Sequence, residues 1–228
     1  MAQPKLGVGG HPRIMVFMDR IPNPRSRTRS ALIGGMLLVG VAILFVDRAA
    51  STWSHNHLHH AAVLDWLTHL VDPLRPAAVI CLAGMGIASV FGGRQLGERG
   101  RTLASACLAI LVSVEIKEQL KQLFGRSWPE TWVNGNPSWI GDHVYAFKFL
   151  HGGPGWESFP SGHTTQIAAL AAVIWLRIPR IRWLGVALCA LVALGLWGSD
   201  YHFVGDILAG ALLGAVCGIG MVALVRTP

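Results

Sequence analysis

Apolar residues gather along the chain into six long runs, at about 31–47, 76–93, 102–122, 162–177, 182–200 and 203–225. Runs of this length without strict alternation predict helices, and helices near 20 apolar residues predict membrane spans. The first run is the shortest, with an uninterrupted apolar core only from Ala31 to Val46. At about 1.5 Å per residue that core reaches roughly 24 Å, short of the ~30 Å hydrocarbon layer unless its flanks snorkel or the bilayer thins. Its arginine-rich lead also fits a signal peptide. Five further runs, and no small-x-small cleavage pattern straight after it, predict a retained anchor. A seventh stretch, His59 to Asp72, interleaves Ala62, Leu64, Leu67, Leu70 and Val71 with His60, Asp65, His69 and Asp72. It is too short and polar to span, which predicts an amphipathic helix lying at the interface. The pattern as a whole predicts an all-α polytopic membrane protein with six transmembrane helices plus a short interfacial amphipathic helix. It forms one membrane domain, 31–225, behind a basic segment, 1–30. The connection 125–160, rich in Gly, Pro, Asn and Trp, is long enough to predict an ordered functional loop.

Composition agrees. Of 228 residues 52% are hydrophobic and 14% charged, too little charge for a soluble surface and too much apolarity for disorder. The net charge of +7 must then be concentrated. Six spans put both termini on one side, which holds 13 of the 19 Lys and Arg residues against two acids, Asp19 and Glu98. The other side holds six cations and ten acids, so the two sides carry +11 and −4. The positive-inside rule places the termini in the cytoplasm and segments 48–75, 123–161 and 201–202 outside. Trp53, Trp66, Trp128, Trp132, Trp139 and Trp156 all fall in those outer segments, where indoles favour the headgroup level. The basic excess is an orientation signal, and no nucleic-acid partner is implied. Cys81, Cys107, Cys189 and Cys217 stand singly in apolar stretches and read as packing residues.

Three polar clusters converge on the outer side: Glu115 to Arg126, Phe159-Pro160-Ser161-Gly162-His163, and Ser199 to Asp206. Ser161 is a natural N-cap, so Gly162 and His163 open a helix whose free N–H groups suit an anion. His202 and Asp206, four apart at a helix start, share a face, so the carboxylate can fix one ring nitrogen and leave the other as a nucleophile. Lys121 and Arg126 supply positive charge for non-bridging phosphate oxygens. Two imidazoles, two cations and a helix N-terminus together describe phosphoryl transfer.

These residues resemble a known family. Pro160-Ser161-Gly162-His163 followed by His202-x3-Asp206, with Lys121 ahead of Pro129, is similar to the type 2 phosphatidic acid phosphatase superfamily over about residues 100–220. The resemblance implies a metal-independent membrane hydrolase with no cofactor, acting on a lipid phosphate mono- or diphosphate ester. His202 would form a phosphohistidine, Asp206 would orient it, and His163 would protonate the leaving oxygen. Lys121, Arg126, Ser161 and Gly162 would hold the phosphate. It further implies a bacterial inner membrane protein with a periplasmic site. Two features depart from the family pattern: Lys-x6 reaches Trp128 where the family has arginine, and Gly195-Leu196 replaces Ser-Arg seven residues before His202. Arg126 or Lys117, one turn from Lys121, is the candidate replacement. A bacterial subgroup with G-R-x-W-P-E-T-W, N-P-S and a glycine-rich run into SFPSGH resembles this loop. The same residues admit a lipid phosphotransferase using the same intermediate, or a non-catalytic phospholipid-binding protein. The sequence leaves the lipid and the oligomeric state open.

Other polar features take plainer readings. The run His55-Asn56-His57-Leu58-His59-His60 reads as a solvated, pH-sensitive surface rather than a metal site. In the loop, Trp139 and Trp156 read as packing, while Asn134, Asn136 and Asp142 stay open between packing and a headgroup pocket. Gly210, Gly214 and Gly218 form one helical stripe that predicts close helix packing.

Overall fold

The computed structural model describes residues 24–58, 61–92, 96–132 and 135–225. Most of segment 1–30, together with His59, His60, Arg94, Asn134 and Arg226, lies outside the described residues. Within them the chain is all helical, with isolated bridges in the long loop and no strand. The helices are α1 (Pro24–Val41), α2 (Asp47–His57), α3 (Ala62–Thr68), α4 (Leu74–Gly92), α5 (Glu98–Phe124), α6 (Trp139–Asp142), α7 (Gly162–Arg177), α8 (Arg182–Gly198) and α9 (Val204–Leu224). Four helical stretches are long and apolar enough to cross a membrane: Thr28–His57, Ala62–Gly92, Pro179–Gly198 and Val204–Leu224. Their outward residues are apolar too, with Phe45, Val90 and Phe91 at least 75% exposed, as lipid contact requires.

The first run does not end at Asp47. A π-helical turn, Ala42–Val46, joins α1 to α2, and the helical stretch continues to His57. Asp47 is tolerated there because it is fully buried and bonded, its Oδ1 accepting from Gly205 N–H at 2.7 Å. The extension resolves the length shortfall of the 16-residue core.

The amphipathic segment also differs from expectation. It does not lie alone at the interface but forms the outer part of one helical stretch, Ala62–Gly92, which bends at Asp72-Pro73. Its apolar face is taken up by α8: a Cβ on Gly198 would come within 2.5 Å of Leu64 Cδ1, and one on Gly195 within 2.8 Å of Leu67 Cβ. Leu64, Leu67 and Val71 are buried, while Val63 and Trp66 stay exposed.

The glycine stripe of α9 sets the centre. Added Cβ atoms at Gly210, Gly214 and Gly218 would lie 2.5, 2.2 and 2.6 Å from the carbonyl oxygens of Ser161, which caps α7, and of Thr165 and Ala169 within it. Only glycine permits that approach, and it fixes the N-termini of α7 and α9 side by side. Ser161 N–H donates to the Asp206 carbonyl at 3.0 Å, tying the two starts together.

Candidate active site

Helix α5 must stop and turn back for its cations to meet α7 and α9. It does so at Gly125, a left-handed residue at φ 55° whose N–H bonds the Lys121 carbonyl. A Cβ there would lie 2.0 Å from the Lys148 carbonyl oxygen, so glycine is required. The loop that follows is ordered by its own polar groups. Asn136 accepts from Trp132 N–H at 2.6 Å and donates to the Glu130 carbonyl, Asp142 accepts from Ser138 N–H, and the Trp128 indole donates to the Pro154 carbonyl at 2.8 Å. Asn136 and Asp142 therefore act as loop staples. Trp139 packs as expected, its ring edge-on to His143 and Tyr145 and its indole donating to Thr52.

His202 lies two residues before α9, with its backbone N–H on the Leu196 carbonyl at 3.1 Å. Its Nδ1 faces Asp206 Oδ2 and Ser158 Oγ, both at 3.5 Å, the outer limit of hydrogen bonding. Nε2 is the remaining ring nitrogen. Burial holds the ring below the ordinary imidazole range against the opposing pull of Asp206, with Lys121 and Lys117 adding to the depression. Asp206 is itself over-determined, accepting from Ser158 Oγ at 2.6 Å, from Phe203 N–H at 3.1 Å and from Arg126.

Four expected residues lie at the same end of the helices as this pair. Ser161 caps α7, its Oγ accepting from Thr164 N–H and Oγ1 at 3.4 and 3.1 Å. A Cβ on Gly162 would come within 3.0 Å of Lys117 Nζ, so that ammonium lies against the helix N-terminus. Lys121 is buried with its Nζ 5.7 Å from the Trp128 ring, which in turn lies 5.3 Å from His202. His163 and His202 flank Tyr201 on two sides, at 5.6 and 5.4 Å between ring centroids.

Arg126, expected to hold the phosphate, is engaged with carboxylates and a tyrosine in this structure. It is 1% exposed, and its guanidinium bonds Asp206, Asp47 Oδ2 at 2.7 Å and Tyr145 Oη at 2.6 Å, with Tyr145, Phe147, Phe159 and Phe203 rings packed around it. A buried guanidinium is held where carboxylates compensate it, and here Asp47 and Asp206 do so. The second arginine position of the family motif is closed as well: Leu196 is fully buried in the apolar core with Val71, Ile167, Val192 and Ile207. Asp47, Tyr145 and Ser158 enter the site without having been expected. The available signal for Asp47 was a lone acid directly behind an apolar run. No comparable signal marks Tyr145 or Ser158.

The family model described as the PAP2 superfamily matches residues 102–228, more than half of the chain. The chain belongs to the PAP2 superfamily. A solved structure described as the first transmembrane PAP2 type phosphatidylglycerolphosphate phosphatase from Bacillus subtilis is similar in fold. Its TM-score is 0.54 at 18% identity, covering 86% of this chain and 94% of that one. No curated protein matches the chain. The PAP2 chain described here thus has a membrane phosphatase-like fold, with the PSGH segment and the His202-x3-Asp206 pair within the matched region.

Proposed function

We propose that this protein is an integral-membrane lipid phosphatase that hydrolyses a phosphate mono- or diphosphate ester on the outer face of a bacterial inner membrane. The carrying observation is the His202–Asp206–Ser158 constellation set beside the N-terminus of α7. Asp206 and Ser158 fix the Nδ1 side of His202, and Nε2 attacks phosphorus while the P–O bond to the lipid breaks. His163 delivers the proton to the departing oxygen, and water then attacks the phosphohistidine to release inorganic phosphate. Lys121 and Lys117, with the Gly162 amide and Ser161, carry the phosphate charge at the front. Arg126 acts as a positioning residue that holds Asp206 from behind. In this reading residues 31–225 are one membrane domain, and α5 and α7 complete six spans with the four apolar stretches. Both termini are cytoplasmic.

The test is phosphate release by the detergent-purified protein from phosphatidic acid, phosphatidylglycerol phosphate, an isoprenyl diphosphate and a lipid A phosphate. At least one is hydrolysed, and His202→Ala lowers both turnover and the acid-labile phosphoenzyme by about 10³-fold or more. Turnover that survives His202→Ala sinks the mechanism. Label passed from the donor lipid to an organic hydroxyl, rather than to water, would instead make the protein a phosphotransferase.

A further inference from the structure

Three side chains that the phosphatase reading leaves unused meet beside the site. His55 comes from the last turn of α2, Glu130 from the long loop and Asp200 from the turn between α8 and α9. One ligand atom from each lies within 4.8 Å of the other two. His55 Nδ1 and Asp200 Oδ2 are 3.0 Å apart, with the Asp200 side chain fully buried and that of His55 29% exposed. Two carboxylates this close repel each other, and a shared divalent cation converts that repulsion into ligation. Two ligands each about 2.1 Å from a common ion stand about 3.0 Å apart at a right angle and about 3.4 Å apart at the tetrahedral angle, and the His55–Asp200 separation of 3.0 Å falls at the short end of that range.

The backbone holds the donors in place. Asp200 adopts a left-handed conformation, φ 54°, uncommon for a residue other than glycine, and its carbonyl accepts from the Trp132 indole at 3.3 Å. The Glu130 carbonyl is fixed by the Asn136 amide at 3.2 Å. One imidazole and two carboxylates suit a cation of borderline hardness, because all-oxygen sets favour magnesium or calcium and thiolate sets favour softer ions.

We propose that His55, Glu130 and Asp200 bind one divalent transition-metal ion, zinc being the natural probe. The ion clasps the end of the first long helical stretch and the outer loop to the turn that leads into Tyr201-His202. The ring enters as neutral imidazole with Nδ1 as ligand and its proton on Nε2. No step of phosphoryl transfer passes through the ion, so the inference stands apart from the phosphatase reading. It also separates His55 from its exposed neighbour His57, whose Nδ1 is engaged with the Trp53 carbonyl at 2.8 Å.

The experiment uses the full chain in detergent without a polyhistidine tag, stripped with chelator and titrated with Zn²⁺ by calorimetry, with bound metal counted by elemental mass spectrometry. The expected result is about one Zn²⁺ per chain and a melting temperature raised by about 5–10 °C at a hundredfold excess over the dissociation constant. Glu130→Gln and His55→Gln each lower the stoichiometry at least about fivefold, while His57→Ala retains the ion. Cobalt(II) added to the unmodified chain gives visible absorption bands of a nitrogen and oxygen site, which keeps the test independent of how any variant folds. Absence of saturable Zn²⁺ binding, or an ion that survives both Glu130→Gln and His55→Gln, overturns the proposal.

Discussion

Asp47 shares Arg126 with Asp206, so its carboxylate reaches His202 only through two intervening side chains. Replacing it by asparagine keeps the shape but leaves the guanidinium with one carboxylate, free to draw Asp206 away from His202. The expected result for Asp47→Asn is a kcat lowered about 10–100-fold with KM within about twofold, and slower phosphoenzyme formation. A merely structural role would lower the amount of folded protein and leave kcat per folded molecule intact. The same residue shows where a linear reading stops. The Ser161 cap and the His202–Asp206 proximity were legible because each follows from spacing within about one helix turn. Asp47 was not, since its partner lies 79 positions away. Arg126 was legible as a charged residue near the site, while its carboxylate partners, 79 and 80 positions away, were not.

At the level of elements, apolar patterning located the helices and missed how they join. The π turn at Ala42–Val46 leaves the Ile43 carbonyl accepting from Tyr145 Oη, and such turns often sit at functional positions. No run of hydrophobicity announces it. The α9 stripe was legible because glycine spaced by four has one common use, and it supports a controlled comparison. Gly214→Ala places a methyl 2.2 Å from the Thr165 carbonyl oxygen, whereas Gly220 has nothing within 4 Å. Gly214→Ala is expected to destabilise the protein by about 1–3 kcal/mol in detergent melts and to reduce turnover, because it parts the helices that carry His163 and Asp206. Gly220→Ala, relieved of glycine's backbone entropy, is expected to be neutral or to stabilise by up to about 1 kcal/mol. Equal behaviour of the two variants would remove the stripe from the account.

For the whole molecule, the proposed six-span arrangement sets the chain's charge and its chemistry on opposite faces. In that arrangement thirteen cations stand against two acids on the side of the termini, and the opposite side, net acidic, carries the histidine pair. A phosphate site on the acidic side works only if its local field differs from that of the face around it. Lys117 and Lys121 at the N-terminus of α7 supply that difference. The orientation is tested with cysteines on loops at the two ends. Leu150 is 82% exposed in the long loop, and Arg180 is exposed between α7 and α8. The native cysteines give little background, since Cys107 and Cys217 are buried and Cys81 and Cys189 half-buried within helices. In cells with a permeabilised outer membrane, Leu150→Cys is expected to react with an impermeant maleimide, and Arg180→Cys only after the inner membrane is opened. The reverse pattern would put the His202 site in the cytoplasm, where the substrate would be a lipid of the inner leaflet and the positive-inside reading would fail for this chain.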